Sequence, residues 1–192
     1  MKYKIITISR QFGSGGRTVG MELAKKLGIP CYDQELIEMF AEKSGFSAQH
    51  ISELQEESVK PHILPHTNDR VERSLQHGLW QKQCDVILEL AEKEACVIVG
   101  RCADFVLRNR DDVLRVYIHA DKDKRAQRIV EVYGERADAP LKRIADKDKR
   151  RVSYYESHTN NKWGDAGNYH IALDSGEFGI DTCVQLLYGL CK

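Results

Sequence analysis

Long apolar runs are missing from this 192-residue chain. None approaches the roughly 20 residues needed to cross a bilayer, so a membrane-spanning helix is not expected. Net charge is missing as well: 29 Lys and Arg stand against 29 Asp and Glu. No global field draws such a chain to a nucleic-acid polymer or an anionic membrane, and any cationic patch must be local. The six cysteines, Cys31, Cys84, Cys96, Cys102, Cys183 and Cys191, include no C-x-x-C pair. Several lie in apolar stretches, where cysteine behaves as a small hydrophobe, and free thiols in a reducing compartment are expected. His62 and His66 stand four apart beside prolines, but no third metal ligand accompanies them. The N-terminus enters a strand pattern directly, without a signal-peptide pattern, and a cytoplasmic protein is expected.

With 42% hydrophobic and 30% charged residues, the composition is that of a globular domain with a substantial core. Its most informative stretch is Ile5 to Leu27, IITISRQFGSGGRTVGMELAKKL. Ile5, Ile6 and Ile8 with Thr7 form a β-branched run suited to a strand covered on both faces. Gly13, Ser14, Gly15 and Gly16 allow a turn with inward N–H groups. Val19, Leu23 and Leu27 then repeat every four residues, as in a helix that packs one face on a sheet and aims its positive end at the turn. Strand, glycine turn and helix in that order predict a phosphate site. Thr18 offers a hydroxyl to Mg²⁺, and Arg17 a full charge.

The turn lacks the lysine of the usual G-x-x-x-x-G-K-[ST] loop. Gly16 stands at the lysine position and Arg10 at that of the opening glycine. Arg17 is expected to replace the missing charge from one position later, with Arg10 as the competing candidate.

Further strands are expected at Cys31-Tyr32-Asp33, Cys96 to Val99, Leu114 to Ala120 and Tyr169 to Asp174. In open α/β sheets ligands gather at strand ends, which singles out Asp33 and the Gly100-Arg101 pair. Arg101 can grip phosphate in two-point contact. Helices are expected over Gln34 to Lys43, Ser47 to Glu57, Thr67 to Lys93, from Asp121 with Ala126, Ile129, Val130 and Tyr133 inward, over Leu141 to Tyr155, and from Gly179 to Leu190. Val59 to Thr67 reads as a connector and hinge. Gln83 interrupts the apolar stripe of the long helix, as either a core amide bonded to backbone or a ligand-facing one. Arg143, Lys147 and Arg150 at i, i+4 and i+7 form either a cover over polyphosphate or a solvated salt-bridge face.

Taken together, ITISRQFGSGG, LGIPCYDQELI, GRCADFVL, the basic Lys142 to Arg151 segment and WGDAGNYHIALDS resemble the cytidylate kinase-like proteins, a branch of the P-loop nucleoside monophosphate kinases. That resemblance implies a three-layer α/β P-loop kinase fold: a parallel, five-stranded sheet with helices on both faces and a mobile lid. One domain would span 1–192, with an acceptor-binding region at about 33–83 and a lid at about 141–161. The implied reaction moves the γ-phosphate of ATP, with Mg²⁺, to a nucleoside monophosphate, CMP or dCMP first among them. Gly13, Ser14, Gly15, Gly16, Arg17 and Thr18 would hold the ATP phosphates. Arg101 would hold the acceptor phosphate beside Asp33 and Gln83, and Arg143, Lys147 and Arg150 would act from the lid. Two positions depart from the family pattern: Val99 stands where an Asp is usual and Cys102 where a second acid is, with Asp104 nearby. Kinases for other small acceptors and non-catalytic nucleotide-binding modules share such a scaffold.

Overall fold

The computed structural model describes residues 1–33 and 69–192, and of 69–76 the backbone alone. The expected helices at Gln34 to Lys43 and Ser47 to Glu57, the Val59 to Thr67 hinge and the His62/His66 pair lie outside the described residues.

Five parallel strands make one sheet in the order β2-β3-β1-β4-β5. They are β1 (Ile5–Arg10), β2 (Cys31–Tyr32), β3 (Cys96–Val99), β4 (Val113–His119) and β5 (Ile171–Asp174). Ile5 stands level with Cys96 on one side and Val113 on the other, so β1 is central. Side chains alternate across a strand, and the apolar runs serve both faces. Ile6, Ile8, Val97 and Val99 pack on one face under α1 (Gly16–Leu27) and α6 (Gly179–Cys191). Ile5, Cys96 and Ile98 pack on the other under α2 (Asp69–Lys93) and α3 (Ala103–Val106). Each buried Ile or Leu contributes about 1.5–3 kcal/mol. This is the α/β sandwich the apolar runs predict, and none of the six cysteines is in a disulfide.

Two helices, α4 (Lys122–Glu131) and α5 (Pro140–Thr159), complete the described fold. In α4 the inward face differs from expectation. Arg125 and Ile129 are buried, whereas the helix stops before Tyr133, which is exposed. Arg125 tolerates burial because Asp148 of α5 pairs with it at 2.6 Å. Leu190 of α6, expected inward, is also exposed, and Cys191 takes the inner position.

Among the described residues, no helix is long and apolar enough to cross a membrane.

Candidate active site

After β1 the chain stays tied to β4. Gln11 N–H donates to the Ile118 carbonyl, and the Gln11 side chain accepts from Ala120 N–H at 3.1 Å. The next three carbonyls are then bonded from outside the loop. Arg125 Nη1 donates to Phe12 O and Arg128 Nη1 to Gly13 O, both at 3.1 Å, while Ser175 Oγ donates to Ser14 O. In a planar trans peptide the N–H points opposite its carbonyl, so these bonds turn the N–H groups of Gly13 and Gly15 to the opposite side. Gly13 and Gly15 both adopt φ 77°, a value a side chain would penalise.

Helix α1 begins immediately at Gly16. Its cap, Gly15, has no side chain to satisfy the first turn, and the first helical bond runs from Val19 N–H to Gly15 O. The amides of residues 16–18 are therefore available to an anion at the positive end of the helix. Of the six residues expected to hold phosphates, Gly13, Ser14, Gly15, Gly16, Arg17 and Thr18, Ser14 is buried and its side chain bonds back to Gln11 O at 2.9 Å.

Across the sheet, β3 ends in a left-handed turn: Gly100, Arg101 and Cys102 have φ of 78°, 57° and 55°. For non-glycine residues this costs about 1–2 kcal/mol each. Here Ala103 N–H bonds Gly100 O at 3.1 Å, and Gln83 Nε2 donates to Arg101 O at 3.0 Å. The Gln83 Oε1 accepts from Tyr154 of α5 at 2.9 Å. Gln83 is buried, and these two bonds match the reading of an amide bonded to backbone.

A cavity of about 230 Å³ is lined by the end of β1, the turn after β3 and α5; Phe12 lines it, whereas Gly13, Ser14, Gly15, Gly16, Arg17 and Thr18 do not. Arg10, Arg101, Lys147, Arg150 and Arg151 line it, and no carboxylate is among its described lining residues. The neutral chain thus concentrates positive charge at the ends of β1 and β3, the topological switch point of the sheet. The α5 face that contributes is Lys147, Arg150, Arg151 and Tyr154, at i, i+3, i+4 and i+7.

Arg143 is not brought to that face. Its Nε lies 2.9 Å from Glu135 Oε2, and its other nitrogens donate to the carbonyls of Arg136 and Asp138. Of the expected row, Lys147 and Arg150 do line the cavity, whereas Arg143 is held by residues 135–138 of the connection between α4 and α5. Arg17 is also elsewhere: half-exposed in the first turn of α1, its Nε sits 2.7 Å from Asp33 Oδ2. Asp33, at the end of β2, receives Arg10 Nη2 at 3.4 Å as well.

Thr18 is exposed on the first turn of α1. Asp104 is 2% exposed and fully engaged, accepting from Ser9 Oγ at 3.1 Å and Tyr155 Oη at 2.7 Å. Burial raises its pKa, and these hydrogen bonds oppose the rise. Among the described residues no three side chains of metal-binding type converge.

Sequence reasoning missed Arg151, Tyr154, Tyr155 and Asp148. Arg151 Nη1 donates to Arg10 O at 2.9 Å, and Asp148 Oδ1 accepts the Phe12 N–H at 2.8 Å. The spacing Lys147, Arg151, Tyr155 was legible as one helical row, but nothing local distinguished it from the row that includes Arg143.

The chain was also compared with known proteins. The model of the Cytidylate kinase-like family matches residues 5–177. A cytidylate kinase from Archaeoglobus fulgidus is 29% identical, over 95% of this chain and 91% of that protein. Another, from Methanopyrus kandleri, is 24% identical over 95% and 90%. Among solved structures, an uncharacterized protein from Eubacterium ventriosum superposes with a TM-score of 0.72 at 28% identity, covering 97% of each chain. Shikimate kinase from Acinetobacter baumannii, at 17% identity and a TM-score of 0.55, covers 98% of this chain and 92% of its own, and shares the fold.

Proposed function

We propose, from the premise that this chain belongs to the cytidylate kinase-like family, that it transfers the terminal phosphoryl group of ATP to a nucleoside monophosphate, CMP or dCMP. The observation that carries this reading is the cavity lined by five cations and no described carboxylate.

In this reaction an oxygen of the acceptor phosphate attacks the γ-phosphorus. The bond to the β,γ-bridging oxygen breaks, and ADP leaves. Such a transfer asks the protein for alignment and charge neutralisation more than for covalent chemistry. In this reading the loop amides and the first turn of α1 hold the ATP phosphates, while Arg101 holds the acceptor phosphate. Lys147 and Arg150 neutralise charge from α5, with Asp33 at the acceptor side. Gln83 positions Arg101 through its carbonyl. Magnesium usually keeps several waters and is carried on substrate phosphates with few protein ligands. That mode suits a site where Asp104 is already engaged and the Thr18 hydroxyl is exposed.

We also place the moving cover differently from 141–161. The second half of α5 is fastened to the core through Asp148, Arg151, Tyr154 and Tyr155. In this reading the segment 132–147 is the part that closes, since lids of this kind complete a site only when ligand is present.

The test is ADP release by the full chain with Mg·ATP and a panel of monophosphates. CMP or dCMP should give the highest kcat/KM. ADP formation that no monophosphate stimulates, or no ADP at all, removes this reading.

A further inference from the structure

The loop has exchanged two residues, and the structure explains why the changes go together. At Gly16, where a lysine is usual, an added Cβ would lie 2.5 Å from Arg10 Cβ, the worst contact, 3.1 Å from Arg10 Cγ and 3.2 Å from Ile118 Cβ. Real Cβ atoms do not approach that closely, so the Arg10 stem and a side chain at position 16 exclude each other. At Gly100, an added Cβ would run into the Arg10 guanidinium itself. Arg10 therefore leaves the end of β1, lies over Gly16, crosses the end of β3 over Gly100 and reaches Asp33 at the end of β2. Its side chain is 22% exposed against 56% for Arg17. Arg10 lines the cavity, whereas Arg17 is outside the lining and holds Asp33 from the other side.

We propose that Arg10, seated on Gly16 and Gly100, is the loop's phosphate-binding cation and has taken over the charge of the missing lysine. The proposal rests on the kinase reading only in taking the anion to be the polyphosphate of ATP. Burial first, then the nearby charges of Arg151, Arg101 and Arg17, lower the pKa of Arg10 to about 9, with Asp33 opposing in part. A guanidinium nevertheless stays charged at neutral pH. A bound polyphosphate relieves the mutual repulsion of Arg10, Arg101 and Arg151, which is a driving force that a single lysine in a usual loop does not have. Arg10 also differs from such a lysine in its planar fork, which can meet two phosphate oxygens at once.

Calorimetric titration of the full chain with Mg·ATP tests this, alongside melting temperatures. Arg10→Ala should weaken ATP binding by about ten- to a hundredfold, the value of one charge-assisted contact. Arg17→Ala, which removes an exposed ion pair, should change it by no more than about fivefold. Gly16→Lys alone should bind poorly because its Cβ meets the Arg10 stem. Arg10→Gly combined with Gly16→Lys restores the usual loop pattern and should recover affinity to within about tenfold of the parent. If Arg10→Ala does not fold, Arg10→Lys and Arg10→Gln take its place, and the charged variant should bind more tightly. Normal ATP affinity in Arg10→Ala or Arg10→Gln, or no recovery in the double variant, overturns the proposal. These affinities are read without any acceptor. A parent that binds ATP through Arg10 yet phosphorylates no monophosphate would refute the proposed reaction and leave this assignment standing.

Discussion

Asp148 on α5 accepts the peptide N–H of Phe12 at 2.8 Å, reaching back 136 residues to the phosphate loop. Its second oxygen pairs with Arg125 at 2.6 Å, and Arg125 donates in turn to the Phe12 carbonyl at 3.1 Å. Residue 12 is thus held at both its N–H and its C=O. The same contact ties loop, α4 and α5 into one unit.

Asp148→Ala should therefore cost about 3–5 kcal/mol, because it leaves Arg125 buried without its partner. Asp148→Asn, which can still accept one bond, should cost less. In the parent, hydrogen exchange at 148–159 should be slow without ligand, whereas 132–147 slows when ATP and acceptor are both added. Equal stability of Asp148→Ala and parent in urea, or ligand-dependent protection confined to 148–159, would refute this division of α5.

Gln83 joins the strained Arg101 carbonyl to Tyr154 at 3.0 and 2.9 Å. Gln83→Leu should destabilise the fold by about 1–3 kcal/mol for each buried group left unpaired. The acceptor KM should rise only as a consequence of a displaced Arg101. An unchanged melting temperature together with a raised KM would instead make Gln83 a direct contact.

Asp104 has a pKa raised above its ordinary 3.8 by burial. Below 3.8 the carboxyl is protonated in both folded and unfolded chains. Above it the unfolded chain ionises first while the folded chain keeps its proton, so this group lowers stability as pH rises until its folded pKa is passed. Asp104→Asn removes that slope. Its melting temperature relative to the parent should climb between about pH 4 and the folded pKa and then level off. A constant difference across that range would mean that Asp104 does not titrate on folding.

What the sequence determined by itself was local. Runs such as Ile5 to Ile8 and Cys96 to Val99 are apolar on both alternating faces, so they had to become central strands, and β-branched strands separated by helical patterns had to make a parallel sheet. A glycine turn between strand and helix likewise dictates a cradle of amides, since no other residue adopts φ near 77° as cheaply at Gly13 and Gly15. Tertiary structure decided which charges meet. Helical spacing in α5 admitted Arg143 and Arg151 equally beside Lys147 and Arg150, and Glu135 took Arg143 while the cavity took Arg151. Arg10 and Arg17 carry the same charge seven residues apart, and only the approach of Gly16 and Gly100 seats one of them in the cavity. A charge finds its partner through contacts between distant segments, as Asp148 does with Phe12, and periodicity along the chain carries no record of that partner.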